Sequence, residues 1–256
     1  MNGKQQPVQP KSPPRRAGSL KALALLGILG QALFVGVVAL LPFFQPGYSS
    51  ADYPISRLLL GPYGFVLSGA LFAAGLGSLA IAVSIRRTTR KARGPLWGCV
   101  LIGLWALGMV LAGIVFLDEQ GNPTESTSIL HGTGVGLAFL AGPVGILVLS
   151  RVFARDARWS SFYPLSLALG FAGMVALIDM VTVVFMLSNL DAALGPGARR
   201  SVEGLGIIQR VFVGTVILWM VLAGVRLRSI AKDKSGRFSV LGRLVPKKAS
   251  SRQSSR

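Results

Sequence analysis

Apolar residues fall in six runs of roughly 20–26 positions, each long enough to cross a hydrocarbon core of about 30 Å as a helix. They cover Ala22–Phe44, Tyr63–Ile85, Leu96–Leu117, Ile129–Leu149, Phe162–Leu187 and Gly206–Leu227. The runs are apolar all the way round, whereas the helices of a soluble domain carry an apolar stripe. The pattern predicts an all-α polytopic membrane protein with six transmembrane helices in one bundle, spanning residues 20–230. Residues 1–19 and 231–256 are rich in Pro, Ser, Gln, Lys and Arg and lack the apolar surface to fold alone, so both are expected to be disordered, basic tails.

Charge adds an orientation. The net charge of +18 on 256 residues could point to nucleic acid, but its placement argues against that partner. Of the 27 Lys and Arg, all but Arg57, Arg199, Arg200 and Arg210 lie in the tails and in alternate connections. The opposite connections hold Asp52, Asp118, Glu119, Glu125, Asp191 and Glu203, most of the nine acids. The positive-inside rule then places both termini and the basic loops in the cytoplasm, and the chain in the cytoplasmic membrane. Membrane lipids are the expected partners, with the basic tails near anionic headgroups at about 1 kcal/mol per nearby cation; an unidentified protein partner stays open.

The connections carry further signals. The first outer loop, Gln45–Pro62, has a turn at Pro46-Gly47, interfacial tyrosines at Tyr48, Tyr53 and Tyr63, and an apolar stretch, Ile55–Leu60, fit for a short helix along the membrane. The inner loop Ser150–Ser161 offers Arg151, Arg155 and Arg158 as a positive clamp with Trp159 as its aromatic anchor. Gly132 with Gly136, and Gly69 with Ala73, make small-xxx-small pairs for close helix packing. The His131–Gly136 stretch, HGTGVG, lacks the strand context and the following Lys of a phosphate loop. No internal repeat supports an inverted-repeat transporter. Arg15, Arg16 and Lys21 precede an apolar run too long for a signal peptide and without an A-x-A site, so it reads as an uncleaved first span.

Candidate chemistry is sparse. Cys99 is the single cysteine and His131 the single histidine, so no disulfide, zinc site or cofactor is expected. Asp179 lies within the fifth span, roughly 12 Å from its outer end. A charge there costs about 2.5–3.5 kcal/mol, so Asp179 is expected to face the bundle interior on a stripe of Ala172, Ala176 and Thr182. It reads as a cation or ligand carrier or as a buried polar tie between helices. His131 opens the fourth span beside Asp118 and Glu119, a setting for proton exchange or for helix capping. Gln209 and Arg210 open the sixth span; Arg210 is expected to snorkel or to pair with Asp118, Glu203 or Asp179.

Three stretches resemble a known family: DYPISRLLLGPYGFVLSGALFAAG before the second span, IVFLDEQGNPTESTSILHG between the third and fourth, and GLGIIQRVFVGTVILWMVLAGVRL at the sixth. In this order and spacing the chain resembles the bacterial membrane family named domain of unknown function 998. That family usually has Phe-Pro-x-Asp where this chain has Phe116-Leu117-Asp118, and an acid where it has Arg57. The resemblance implies the six-span topology and puts the acidic motif, His131 and the Gln-Arg entry at one membrane level. It implies no activity.

Asp52, Arg57, Asp118, His131, Asp179 and Arg210 all fall in the outer half, and Asp179, His131, Asp118, Glu119, Gln209 and Arg210 are the candidate ligand-binding residues. The favoured function is binding or transport of a small solute or lipid through an outer-facing polar pocket. An accessory subunit ranks second. An intramembrane lipid-modifying enzyme ranks third, since no G-x-S-x-G elbow and no set of His ligands is present.

Overall fold

The computed structural model describes residues 15–89, 94–114, 123–194 and 204–244. Six helices carry the fold, and all six are long and apolar enough to cross a membrane. Helix α1 (Arg15–Leu40) passes into a 3-10 turn at Leu41–Phe44, where Pro42 removes a backbone donor. A second 3-10 turn, Ile55–Leu60, precedes α2 (Gly64–Thr88). Gly64 starts α2 because a Cβ there would collide with the Leu59 carbonyl. Gly94, at φ +101°, and Pro95 launch α3 (Pro95–Ala112). The side chain of Thr124 caps α4 (Glu125–Phe153), accepting from the Thr127 N–H at 3.2 Å. Helices α5 (Tyr163–Leu194) and α6 (Leu205–Leu244) complete the bundle.

Each helix packs against the next, and α6 returns to α1, which closes a ring. Short connections between antiparallel neighbours produce this order. Leu67, Ile81, Ile102, Trp105, Phe153, Phe212 and Trp219 are fully buried between the helices, while Leu29, Phe65, Val175 and Phe185 stay exposed on the outside, as lipid-facing residues do. Lipid supplies no hydrophobic drive between helices, so close backbone approach and hydrogen bonds hold them. Gln31, fully buried, donates across α1 and α2 to the Ala74 carbonyl at 2.9 Å and to Ser78 Oγ at 3.1 Å.

A close backbone crossing lies between α3 and α4. A Cβ on Gly134 would stand 2.6 Å from the Ala112 nitrogen and 2.7 Å from the Gly108 oxygen. The expected Gly132–Gly136 pair does not pack: added Cβ atoms there, and at Gly69, meet nothing within 4 Å. The packed positions are Gly134 and Ala138, about 200° round the helix from that pair.

Several boundaries also move. The third span was expected to reach Leu117, but α3 ends at Ala112, where the Gly113 N–H closes it onto Met109 and Val110 carbonyls. Residues expected to be disordered are helical at both ends, from Arg15 in α1 and as far as Leu244 in α6. Helix propagation from an anchored span adds one hydrogen bond per residue without a new nucleus, so it carries past the apolar run.

The basic end is built from aromatics rather than an interfacial anchor. Trp159 is fully buried and stacks on Phe153 at 4.4 Å between ring centres. Ser150, Ser166 and the Trp219 indole form a buried chain, with Ser150 Oγ 2.7 Å from Ser166 Oγ and the indole N–H donating to Ser166 at 2.8 Å. Arg226 donates to the Arg158 carbonyl. The Arg158 guanidinium binds Asp156 at 2.7 Å, and that hydrogen bond holds the Asp156 carboxyl below its ordinary range against the opposing effect of burial.

Candidate functional site

At the opposite end of the bundle, the entry to α6 holds the 45–62 connection in place. Gln209 Oε1 accepts the Ile55 N–H at 2.6 Å. The Arg210 guanidinium donates to the carbonyls of Ser50 at 2.7 Å, Tyr53 at 3.1 Å and Gly206 at 3.0 Å, and to the Tyr48 hydroxyl at 2.7 Å. Tyr48 in turn donates to Tyr53 and Pro54 carbonyls. Gly206 is required here, because a Cβ would lie 2.5 Å from the Ser50 oxygen. Arg210 therefore serves as a hub for carbonyls. Of the acids offered as partners for Arg210, Asp179 makes no bond to it, and Asp118 and Glu203 lie outside the described residues.

With the connection pinned, Ile55–Leu60 seals the bundle end, burying Ile55, Leu58 and Leu59. Its buried side chains face the bundle, while Arg57 and Leu60 stay exposed. Between this turn and the start of α4 opens a cavity of about 280 Å³, lined by Ser56, Arg57, Leu59, Thr127, Ser128 and His131 among others. Arg57 is exposed at its mouth, with its guanidinium carbon 4.2 Å from the Tyr53 ring centre. His131 Nδ1 lies 2.9 Å from the Ala112 oxygen. That carbonyl ends α3 and has no partner within its own helix. A carbonyl only accepts, so Nδ1 carries the proton and Nε2 is left to serve the cavity.

Beside this cavity, behind His131, lies a separate space of about 40 Å³, walled by Phe34, Ile55, Met109, Val135, Phe139 and Gln209 among others. A groove of about 530 Å³ between α4, α5 and α6 is lined by Phe139, Met180, Val184, Phe185 and Leu205 among others. The three spaces share walls. Ser56, Leu59 and His131 border the first two, and Val135, Phe139 and Gln209 border the last two. The cavity beside Arg57 and His131 sets a few polar groups in a mainly apolar lining, and the two neighbouring spaces are almost wholly apolar.

The family model described as "Protein of unknown function (DUF998)" matches residues 28–226. The chain belongs to this family. No curated protein and no solved structure matches it. The DUF998 match takes in the Gln209–Arg210 hub and every residue that lines the three spaces.

Of the residues singled out from the DUF998 chain's sequence, His131 and Gln209 border the small apolar space, and Arg210 acts one step removed by fixing the turn that walls the cavity. Asp118 and Glu119 lie outside the described residues. Asp179 is a correction. It is exposed on the outside of the bundle, as are Ala172 and Thr182, and has no hydrogen bond or ion pair among the described residues. The packed face of α5 runs through Gly173, Ala176, Leu177 and Met180, and position 179 falls on the flank of the helix, about 110° from the centre of that face. Sequence reasoning passed over Ser56, Thr127 and Ser128, and placed Arg57 in the outer half without making it a ligand-binding candidate. The available signal was Arg57, the lone cation of the 45–62 connection.

Proposed function

We propose that this DUF998 protein binds a lipid of the outer leaflet, with an anionic headgroup in the cavity beside Arg57 and an acyl chain in the groove. One observation supports the reading: the cavity that holds Arg57, His131, Ser56 and Ser128 adjoins, through shared walls, an apolar space that in turn adjoins an apolar groove. Binding sites for amphiphiles need this division of lining. Arg57 supplies a cation at the mouth, and His131 Nε2 and the Ser56 and Ser128 hydroxyls supply hydrogen-bonding groups. Spaces with these apolar walls suit a hydrocarbon chain and disfavour a hydrated solute.

The protein as purified in detergent should bind a fluorescent phosphatidylglycerol more tightly than the phosphatidylcholine analogue. Arg57→Ala should weaken phosphatidylglycerol about tenfold, in line with about 1.5–3 kcal/mol for a hydrogen bond to a charged group, without moving Tm. Val135→Trp, which fills the small apolar space, should weaken both lipids. Equal binding of both headgroups, unchanged in Arg57→Ala, would refute the proposal.

The same reading sets the chain in the cytoplasmic membrane with both termini inside, the basic end resting on anionic lipid and the cavity facing out. Alkaline phosphatase joined after Leu194 should be active, and joined after Leu244 inactive. The reverse pattern would invert the bundle.

A further inference from the structure

The outward face of α5 carries a residue that lipid alone cannot satisfy. Asp179 lies within the span Ser160–Met186, about two turns from Met186, or roughly 10 Å at 1.5 Å per residue. Its side chain is exposed and has no polar partner among the described residues. Acids inside spans nearly always face protein or water, and they pair. Asp179 is moreover part of a regular seam. Ala168, Ala172, Val175, Asp179, Thr182 and Met186 follow each other at alternating spacings of four and three, and all six are exposed. That spacing keeps one line of side chains facing a partner helix along a left-handed pair, and a single polar residue in such a seam fixes register. Ala168 and Ala172 let backbones come close, and Thr182 adds a hydroxyl one turn from the acid.

We propose that α5 is the interface of a symmetric homodimer, in which Asp179 and Thr182 of the two copies face each other across a two-fold axis along the membrane normal. A second copy is the occupant that the chemistry favours. Both copies insert in the same orientation, so α5 meets α5 in parallel and Asp179 meets its own equivalent at the same depth. A hydroxyl donates and a carboxylate accepts, so the Thr182 hydroxyl of each copy, turned from the Ile178 carbonyl it meets in the single chain, can donate to Asp179 of the other, a reciprocal pairing as a two-fold interface demands. The seam is separate from the groove, whose α5 residues are Met180, Val181, Val184 and Phe185, so the dimer does not rest on lipid binding.

The test uses the full chain in phosphatidylglycerol–phosphatidylcholine vesicles, with Cys99, buried in α3, replaced by serine. Val175→Cys should cross-link to a dimer under mild oxidation, whereas Leu33→Cys, exposed on α1, should not. By single-molecule photobleaching at increasing lipid dilution, Asp179→Asn should stay dimeric, and Asp179→Leu should dissociate at a protein density at least about tenfold higher. The Val175→Cys cross-link leaves Asp179 intact, so it stands whether or not Asp179→Leu folds. A monomer at every dilution, cross-linking from α1 instead of α5, or Asp179 engaged by a different protein in place of a second copy would each overturn the proposal.

Discussion

Gly134→Ala should lower the thermal stability of the protein sharply, while Gly132→Ala and Gly136→Ala should leave it unchanged or slightly raised. The three positions lie on one turn of α4 in the same HGTGVG stretch, yet only Gly134 is pressed against another backbone. Its added Cβ would meet the Ala112 nitrogen at 2.6 Å and the Gly108 oxygen at 2.7 Å, and neither atom belongs to a side chain that can swing aside. Accommodating it requires α3 and α4 to move apart along their whole crossing. Overpacking of this kind costs about 1–3 kcal/mol when side chains can adjust, and a backbone crossing sits at the upper end. At Gly132 and Gly136 the new methyl enters open space, and alanine gains about 0.5–1 kcal/mol over glycine within a helix. Gly108→Ala should match Gly134→Ala, and the double variant should cost less than the sum, because one separation relieves both clashes. Unfolding of the purified proteins in one detergent, followed by intrinsic fluorescence, compares all five variants. Equal melting of the Gly132, Gly134 and Gly136 variants would mean that this crossing does not hold the hairpin.

This contrast also marks how far the chain could be read before its structure. Run length and alternating charge disclosed six helices and their order, because the bilayer imposes a length and leaves few exceptions. The inward face of each helix stayed hidden. A soluble helix announces its buried face by polarity, but α4 and α5 are apolar on every side, so position 134 looks like 132, and Asp179 could be placed inside only by assuming that a charge avoids lipid. The structure puts Asp179 outside, where the same physical premise now argues for a partner.

The site was partly legible. His131, Gln209 and Arg210 stood out as polar groups at span ends, and all three bear on the cavity. Their partners did not stand out. Sequence offers acids as the counterparts of Arg210, whereas the actual acceptors are the backbone carbonyls of Ser50, Tyr53 and Gly206, which every residue type possesses. The cavity escaped notice because its walls come from Ile55–Leu60 and from the start of α4, far apart in sequence and joined only by the closing of the ring.

Arg210→Ala should release the 45–62 connection and abolish lipid binding while the six helices remain. The guanidinium gives four hydrogen bonds, three to carbonyls and one to the Tyr48 hydroxyl, from a planar fork that reaches several directions at once. Bonds from a charged donor contribute about 1.5–3 kcal/mol each and are not additive, so the loss should free the connection without unfolding a bundle held by its helix crossings. The Tyr48 bonds to Tyr53 and Pro54 would persist, but nothing would tie that turn to α6 beyond Gln209 and the bond from the Ile207 N–H to the Ala51 oxygen at 3.1 Å. Lysine carries the charge but not the fork, so Arg210→Lys should resemble Arg210→Ala far more than the parent. Amide hydrogen exchange should speed up across residues 45–62 and stay slow within α2, α3 and α4. Because Ser56, Arg57 and Leu59 wall the cavity, phosphatidylglycerol binding should fall together with that protection. Unchanged exchange in 45–62 would show that the connection holds itself. Faster exchange throughout α2 to α4 would make Arg210 a support of the whole bundle rather than of the site.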